Sequence, residues 1–172
     1  MIKEIDIYIS RFINQLTIRN KLLADFLKLI THTSSGKIYP VYALLIPFIL
    51  PEGILIIKIG LIAFAFQVPI YMLSKNTVRR KRPSISYGIK QIVNPPDRYS
   101  FPSGHCASSM LFTLIVNQYI PSITIYFIMW MVIIFISRIA LGLHYLSDAI
   151  CGMLLGLLSF YIANQIISFS FN

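Results

Sequence analysis

The chain alternates between long apolar runs and short polar breaks, and its first twenty residues follow a different rule. Ile2, Ile5, Ile9, Phe12, Ile13 and Leu16 recur at steps of three and four. Lys3, Asp6, Ser10, Arg11 and Asn14 take the positions between. This period predicts an amphipathic helix, too charged to span a bilayer and suited to lying in its interface. Leu22, Leu23, Phe26, Leu27 and Ile30 repeat the pattern over residues 21–31. Packing of both helices against a bundle would give the same pattern, and the two readings are compatible.

After a polar break at 31–36, residues 38–50 are apolar, short for a span and interrupted by Pro40 and Pro47. They read as a first transmembrane helix. Residues 51–53 are a tight turn. Residues 54–73 supply the ~20 apolar positions a bilayer requires, with Lys58 able to snorkel to the near interface. Residues 103–119, 123–141 and 146–169 predict further spans. The expected class is all-α: an integral membrane helical bundle of about five spans. One domain is expected over 1–172, with 1–33 as interfacial helices and 38–172 as the bundle. Residues 74–101 form the only long polar segment, and Pro83, Pro95 and Pro96 make much of it loop.

Composition supports that class. Hydrophobic residues make up 56% of the chain and charged residues 12%, with a mean hydropathy of +0.73. A net charge of +9 then points to a membrane surface or an anionic lipid headgroup, not to nucleic acid. Six acidic residues are too few for a two-metal phosphatase. His32, His105 and His144 are badly spaced for zinc, so no metal and no cofactor is expected. Cys106 and Cys151 lack CxxC spacing and read as small core residues. The first twenty residues have no continuous apolar core, so no cleavable signal peptide is expected. Of the fifteen Lys and Arg residues only Lys58 lies outside the N-terminal region, the loop 74–101 and the turn at 138. With the spans above, those three places share one membrane face. The positive-inside rule puts that face in the cytoplasm, but a site for anions must be basic on whichever side it works.

Three polar clusters sit at helix ends on this face. The first runs from Lys75 to Arg82-Pro83; the two cations are seven residues apart, near one face if the helix continues. The second is Pro102-Ser103-Gly104-His105, a helix N-terminus whose free N–H groups suit a phosphate and whose glycine permits close approach. The third is Ser137-Arg138 with His144 and Asp148. His144 and Asp148, four apart, share a helical face, so the carboxylate can hold one imidazole nitrogen and leave the other nucleophilic. Alone, His105 reads as interfacial, Arg138 as a helix-end anchor, and His144 with Asp148 equally well as a buried structural pair. Together they place three cations, a helix N-terminus and two histidines around an oxyanion, with His144 placed to attack and His105 to protonate a leaving group. Arg79, Arg80 and Lys81, between these positions, read as a solvated or headgroup-contacting face.

The spacing K-x6-R-P, P-S-G-H and S-R-x5-H-x3-D resembles the type 2 phosphatidic acid phosphatase (PAP2) family, which also resembles vanadium haloperoxidases and bacterial acid phosphatases. All three motifs are intact and in order across residues 75–148. The resemblance implies a phosphohistidine on His144, oriented by Asp148, with His105 as general acid on the leaving lipid alcohol. Lys75, Arg82, Ser103, Gly104 and Arg138 would hold the phosphoryl oxygens. It further implies a lipid phosphatase acting on lipid A 1-phosphate, phosphatidylglycerophosphate or undecaprenyl diphosphate, in a bacterial inner membrane with its site facing the periplasm. Selection would rest on loop 84–101, the interfacial helices and the lipid-facing cleft. A haloperoxidase-like oxidant and a non-enzymatic lipid carrier or flippase are the competing readings.

Overall fold

The computed structural model describes residues 2–95 and 97–170, without the side chains of Ile2 and Ser170. Pro96, counted above among the loop prolines, lies outside the described residues, as does the side chain of Ile2. The elements are α1 (Ile2–Arg19), α2 (Lys21–His32), α3 (Tyr39–Ile49), α4 (Gly53–Val78), α5 (Pro83–Tyr87), α6 (Gly104–Tyr119), α7 (Thr124–Ala140) and α8 (Leu146–Ser170). A 3-10 turn at Pro121–Ile123 precedes α7. Among the described residues no strand forms; Lys81 and Tyr99 make an isolated bridge.

Among the described residues, three helical stretches are long and apolar enough to cross a bilayer: Gly53–Val78, Pro121–Ala140 and Leu146–Phe169. The protein is therefore a membrane protein. The other two expected spans are shorter: α3 has 11 residues and the central α6 has 16. At about 1.5 Å per residue, α3 reaches only half the thickness of a hydrocarbon core. Ile56, Ile59 and Ala63 of α4 meet Leu111 and Ile115 of α6 and Ala163 of α8 in one core. The GxxxG of α8 is used here. A Cβ on Gly152 would collide with the Ser103 carbonyl, and one on Gly156 with the Ala107 carbonyl. The small residues thus let α8 lie directly on the backbone of α6. The backbone N–H of Ser103 donates to the Asp148 carbonyl at 3.0 Å, fixing the start of α6 beside the start of α8.

The first helix is inside-out. Asp6, Ser10, Asn14 and Thr17 of α1 are buried, while Ile5, Tyr8, Phe12 and Leu16 are exposed. Asn14 donates to the carbonyls of Lys90 at 2.9 Å and Ala140 at 2.8 Å, and accepts from Lys90 N–H. The polar stripe therefore docks on the loops at the basic end of the bundle and satisfies their backbone groups. Ile5, Phe12 and Leu16 of the apolar stripe face outward, while Ile13 packs against the buried clusters around Ala140 and Ile139. Gly142 completes this junction. It has φ 74°, and a Cβ there would come within 2.5 Å of the Lys90 carbonyl.

Candidate active site

Four helix ends meet on the basic face: the last turn of α4, the first turns of α6 and α8, and the last turn of α7. α4 carries Lys75 but stops at Val78, because Arg79 takes a left-handed conformation with φ 49°. Lys75 and Arg82 consequently do not share a helical face, as the seven-residue spacing suggested. The chain turns back, and the two cations meet on a shared carboxylate. Asp97 Oδ2 lies 2.6 Å from Lys75 Nζ, and Asp97 Oδ1 lies 2.5 Å from Arg82 Nη2. Tyr71, one turn before Lys75, donates to Asp97 Oδ2 at 3.0 Å and accepts a hydrogen bond from Lys75. Burial alone would raise the Asp97 carboxyl, but Lys75 and Arg82 outweigh it and hold the group below the usual carboxylate range. Arg82 also donates to the Leu143 carbonyl at 2.6 Å, which ties the α4–α5 turn to the α7–α8 loop.

Arg138, in the last turn of α7, is 3% exposed. Its Nη1 donates to Thr31 Oγ1 at 2.9 Å, whereas its buried Nε has no protein partner. An unmatched buried N–H on a cation is the kind of group an anion satisfies.

His144 sits in the α7–α8 loop, 3% exposed. Its Nδ1 lies 2.6 Å from the Ser100 carbonyl. A carbonyl only accepts, so the proton is on Nδ1 and the lone pair is on Nε2. Burial first, then the charges of Arg138, Arg82 and Lys75, push the His144 imidazole well below the ordinary histidine range. Burial and these cations thus favour the neutral form of the imidazole. The direct hydrogen bond expected from Asp148 is not formed: Asp148 Oδ2 is 4.0 Å from Nδ1. That carboxylate is engaged elsewhere. It accepts from Arg80 Nη1 at 2.6 Å and from the Tyr145 backbone N–H at 2.9 Å.

Arg80 departs furthest from its expected solvated face. It bridges Asp148 and, at 2.8 Å, Asp6, and it donates to Ser147 Oγ at 2.7 Å. Its guanidinium lies 4.0 Å over the Tyr145 ring. Arg79 and Lys81 are exposed, as expected.

A cleft of about 940 Å³ opens onto these residues. Arg82, Asp97, Gly104, His105, Arg138 and His144 line its polar end. Lys75 is buried and reaches this end through Asp97. Ser103 is fully buried, and its Oγ accepts from Cys106 N–H at 3.5 Å as the N-cap of α6. Its hydroxyl therefore organises the helix start whose first residues, Gly104 and His105, face the cleft. Among the described residues, no cluster of three or more His, Cys, Asp or Glu is arranged to hold a metal ion. Asp97, Tyr71, Arg80, Asp6 and the Ser100 carbonyl were not singled out from sequence. Asp97 left one signal: it is one of only six acidic residues and falls in the most basic segment of the chain.

These features define a class: a membrane-spanning helical bundle whose cleft ends on cationic groups and two imidazoles. A family model described as the PAP2 superfamily matches residues 54–171, well over half of the chain and all three motifs. The chain belongs to the PAP2 superfamily and is a phosphate hydrolase of that type. The fold is shared with LpxE of Aquifex aeolicus, with a TM-score of 0.83 and 21% identity, covering 94% of this chain and 95% of that one. It is shared too with a transmembrane PAP2-type phosphatidylglycerolphosphate phosphatase of Bacillus subtilis. There the TM-score is 0.75 and the identity 22%, covering 97% of this chain and 86% of that one.

Proposed function

We propose that the protein is an integral-membrane lipid phosphatase that removes a terminal phosphate from a lipid phosphate or pyrophosphate through a phosphohistidine, without a metal. The observation that carries this reading is the shape of the cleft. Beyond the cationic end it runs between Tyr39, Leu44, Phe64, Leu61, Phe112 and Ile115. An anionic head on an apolar tail fits both parts at once.

The chemistry follows from the side chains. Nε2 of His144 attacks phosphorus while the bond from phosphorus to the lipid oxygen breaks. His105 gives its proton to that oxygen. Arg82, Arg138, Lys75 and the Gly104 N–H hold the phosphoryl oxygens, with Ser103 acting through the helix start it caps. Asp97 leaves the cations as phosphate arrives. Water then attacks phosphorus, the N–P bond breaks, His105 takes the water proton, and orthophosphate leaves. The Ser100 carbonyl fixes the reacting tautomer of His144, and Asp148 supports the developing positive charge from 4.0 Å. The candidate substrates are lipid A 1-phosphate, phosphatidylglycerophosphate and undecaprenyl diphosphate, with the first favoured. The expected location is a bacterial inner membrane with the site facing the periplasm.

Purified protein in detergent should release phosphate from one of these lipids in excess EDTA, and acid-labile phosphate should be trapped on the chain. A strict need for a divalent metal would sink the mechanism, and lipid binding without turnover would favour a carrier. For sidedness, Lys90→Cys in a background lacking Cys106 and Cys151 should label with a membrane-impermeant maleimide added from the periplasmic side.

A further inference from the structure

The cleft wall holds a buried polar atom that has no protein partner and that the chemistry above does not use. Gln67 of α4 lines the cleft yet is 3% exposed. Its Nε2 donates to Ser108 Oγ at 3.1 Å across to α6, while its Oε1 has no protein partner. Ser108 is itself buried and lines the same wall. The same lining holds Phe64, Val68 and Leu111, and the hydroxyls of Tyr39 and Ser34, which lie 3.2 Å apart. A buried amide oxygen left unmatched is costly, and here the Ser108 contact holds it in one orientation.

Its position along the cleft is fixed by helical geometry. Gln67, Tyr71 and Lys75 fall on successive turns of α4, so Gln67 lies about 12 Å along the axis from Lys75. On α6, Ser108 is one turn beyond His105, about 4.5 Å along the axis. The pair therefore sits just below the phosphate end, where a lipid's headgroup passes into its chains.

We infer that Gln67, anchored by Ser108, is a specificity-determining residue that accepts a hydrogen bond from a hydroxyl or amide N–H carried a few bonds from the substrate's phosphate. This rests on the lipid phosphatase reading and deepens it. Acyl-amide and hydroxyl-bearing lipid phosphates carry such a donor. A polyisoprenoid chain carries none, and would leave the amide oxygen unmatched against hydrocarbon. Of the candidate substrates, lipid A 1-phosphate and phosphatidylglycerophosphate fit this wall and undecaprenyl diphosphate does not.

The test compares kcat/KM for ceramide 1-phosphate, which has an amide N–H and a hydroxyl, with that for a phosphatidate of matched chain length, which has neither. Both are presented in mixed detergent micelles at equal mole fraction, with a polyprenyl phosphate as a third substrate. The wild type should prefer ceramide 1-phosphate by about tenfold, mainly through KM. Gln67→Met, close in volume, should bring the ratio near one, and Ser108→Ala should reduce it partly. A wild type with no preference, or a Gln67→Met variant that keeps the full ratio, would overturn the inference while leaving the phosphatase reading intact. Phosphate release from the candidate substrates above but from none of these three lipids would overturn the inference alone, and no release from either set would overturn the phosphatase reading and the inference together.

Discussion

Two charge clusters lie on either side of the α7–α8 loop, and their balance differs. On the cleft side, Lys75, Arg82 and Arg138 face a single carboxylate, Asp97. On the α1 side a single guanidinium, Arg80, sits between two carboxylates, Asp6 and Asp148, which Ser147 and the Tyr145 N–H also engage. The second cluster is closed: each carboxylate has a cation and hydrogen bonds, and it joins α1 to α8. The first is left with excess positive charge and an unmatched Arg138 Nε. A cluster with excess cations beside a cleft is available to a ligand, whereas one whose carboxylates are all hydrogen-bonded to the protein serves the fold.

That contrast can be broken from either side. The largest effect is expected from His144→Ala, which removes the proposed nucleophile and should cut phosphate release at least ~10⁴-fold. The ring is buried and bonded to the Ser100 carbonyl, so the thermal unfolding midpoint in detergent should fall as well, and phosphate release is read per folded protein. Next, Arg138→Ala should lower kcat/KM by about 10²–10³-fold, and Arg138→Lys should restore only part, since it lacks the planar fork. A wild-type rate in Arg138→Ala would remove that cation from the cleft-side cluster.

Arg80→Ala tests the other cluster. It leaves the carboxylates of Asp6 and Asp148, 4% and 0% exposed, facing each other without a cation. Stability should fall by about 3 kcal/mol, read as a lowered unfolding midpoint. The turnover number of the remaining folded protein should fall less than the Arg138 variants do; the opposite order would reverse the assignment of the two clusters.

The smallest effect belongs to Asp97→Asn. With no carboxylate competing for Lys75 and Arg82, inhibition by inorganic phosphate should tighten about fivefold, or roughly 1 kcal/mol. Because the Asp97 carboxyl is held below its usual range, its stabilising contact is fully present above the unfolded value near ~4. It is lost as pH falls through the lower folded value. The Asn variant should therefore lose less stability between neutral and strongly acid pH than the wild type.

Much of this architecture was legible along the chain. The apolar runs gave the long helices to within a few residues, apart from α4, which continues to Val78, while the short α5 falls in the segment read as loop. The motif residues are legible because each lies at a helix end, where local sequence sets the backbone. What was not legible depends on which strands of chain come together across long separations. Ser100 and His144 are forty-four positions apart, and a backbone carbonyl leaves no mark in a sequence. Arg80 looked like its exposed neighbours Arg79 and Lys81, and only the docking of α1 gives it partners.

The period of α1 shows the boundary most clearly. Residues 1–20 establish that the helix has a polar and an apolar face, because side-chain spacing alone fixes that. They do not establish which face meets the protein. The polar stripe of Asp6, Ser10 and Asn14 turns in, toward backbone carbonyls and the Arg80 guanidinium that it satisfies. In the same way, the sequence by itself determined the long helices, the basic face and the set of candidate phosphate-binding residues. Only the tertiary structure decided that a carbonyl holds His144, that Asp97 bridges Lys75 and Arg82, and that Asp148 belongs to the clamp on α1. Those are choices among partners, and they are made by long-range packing and charge balance.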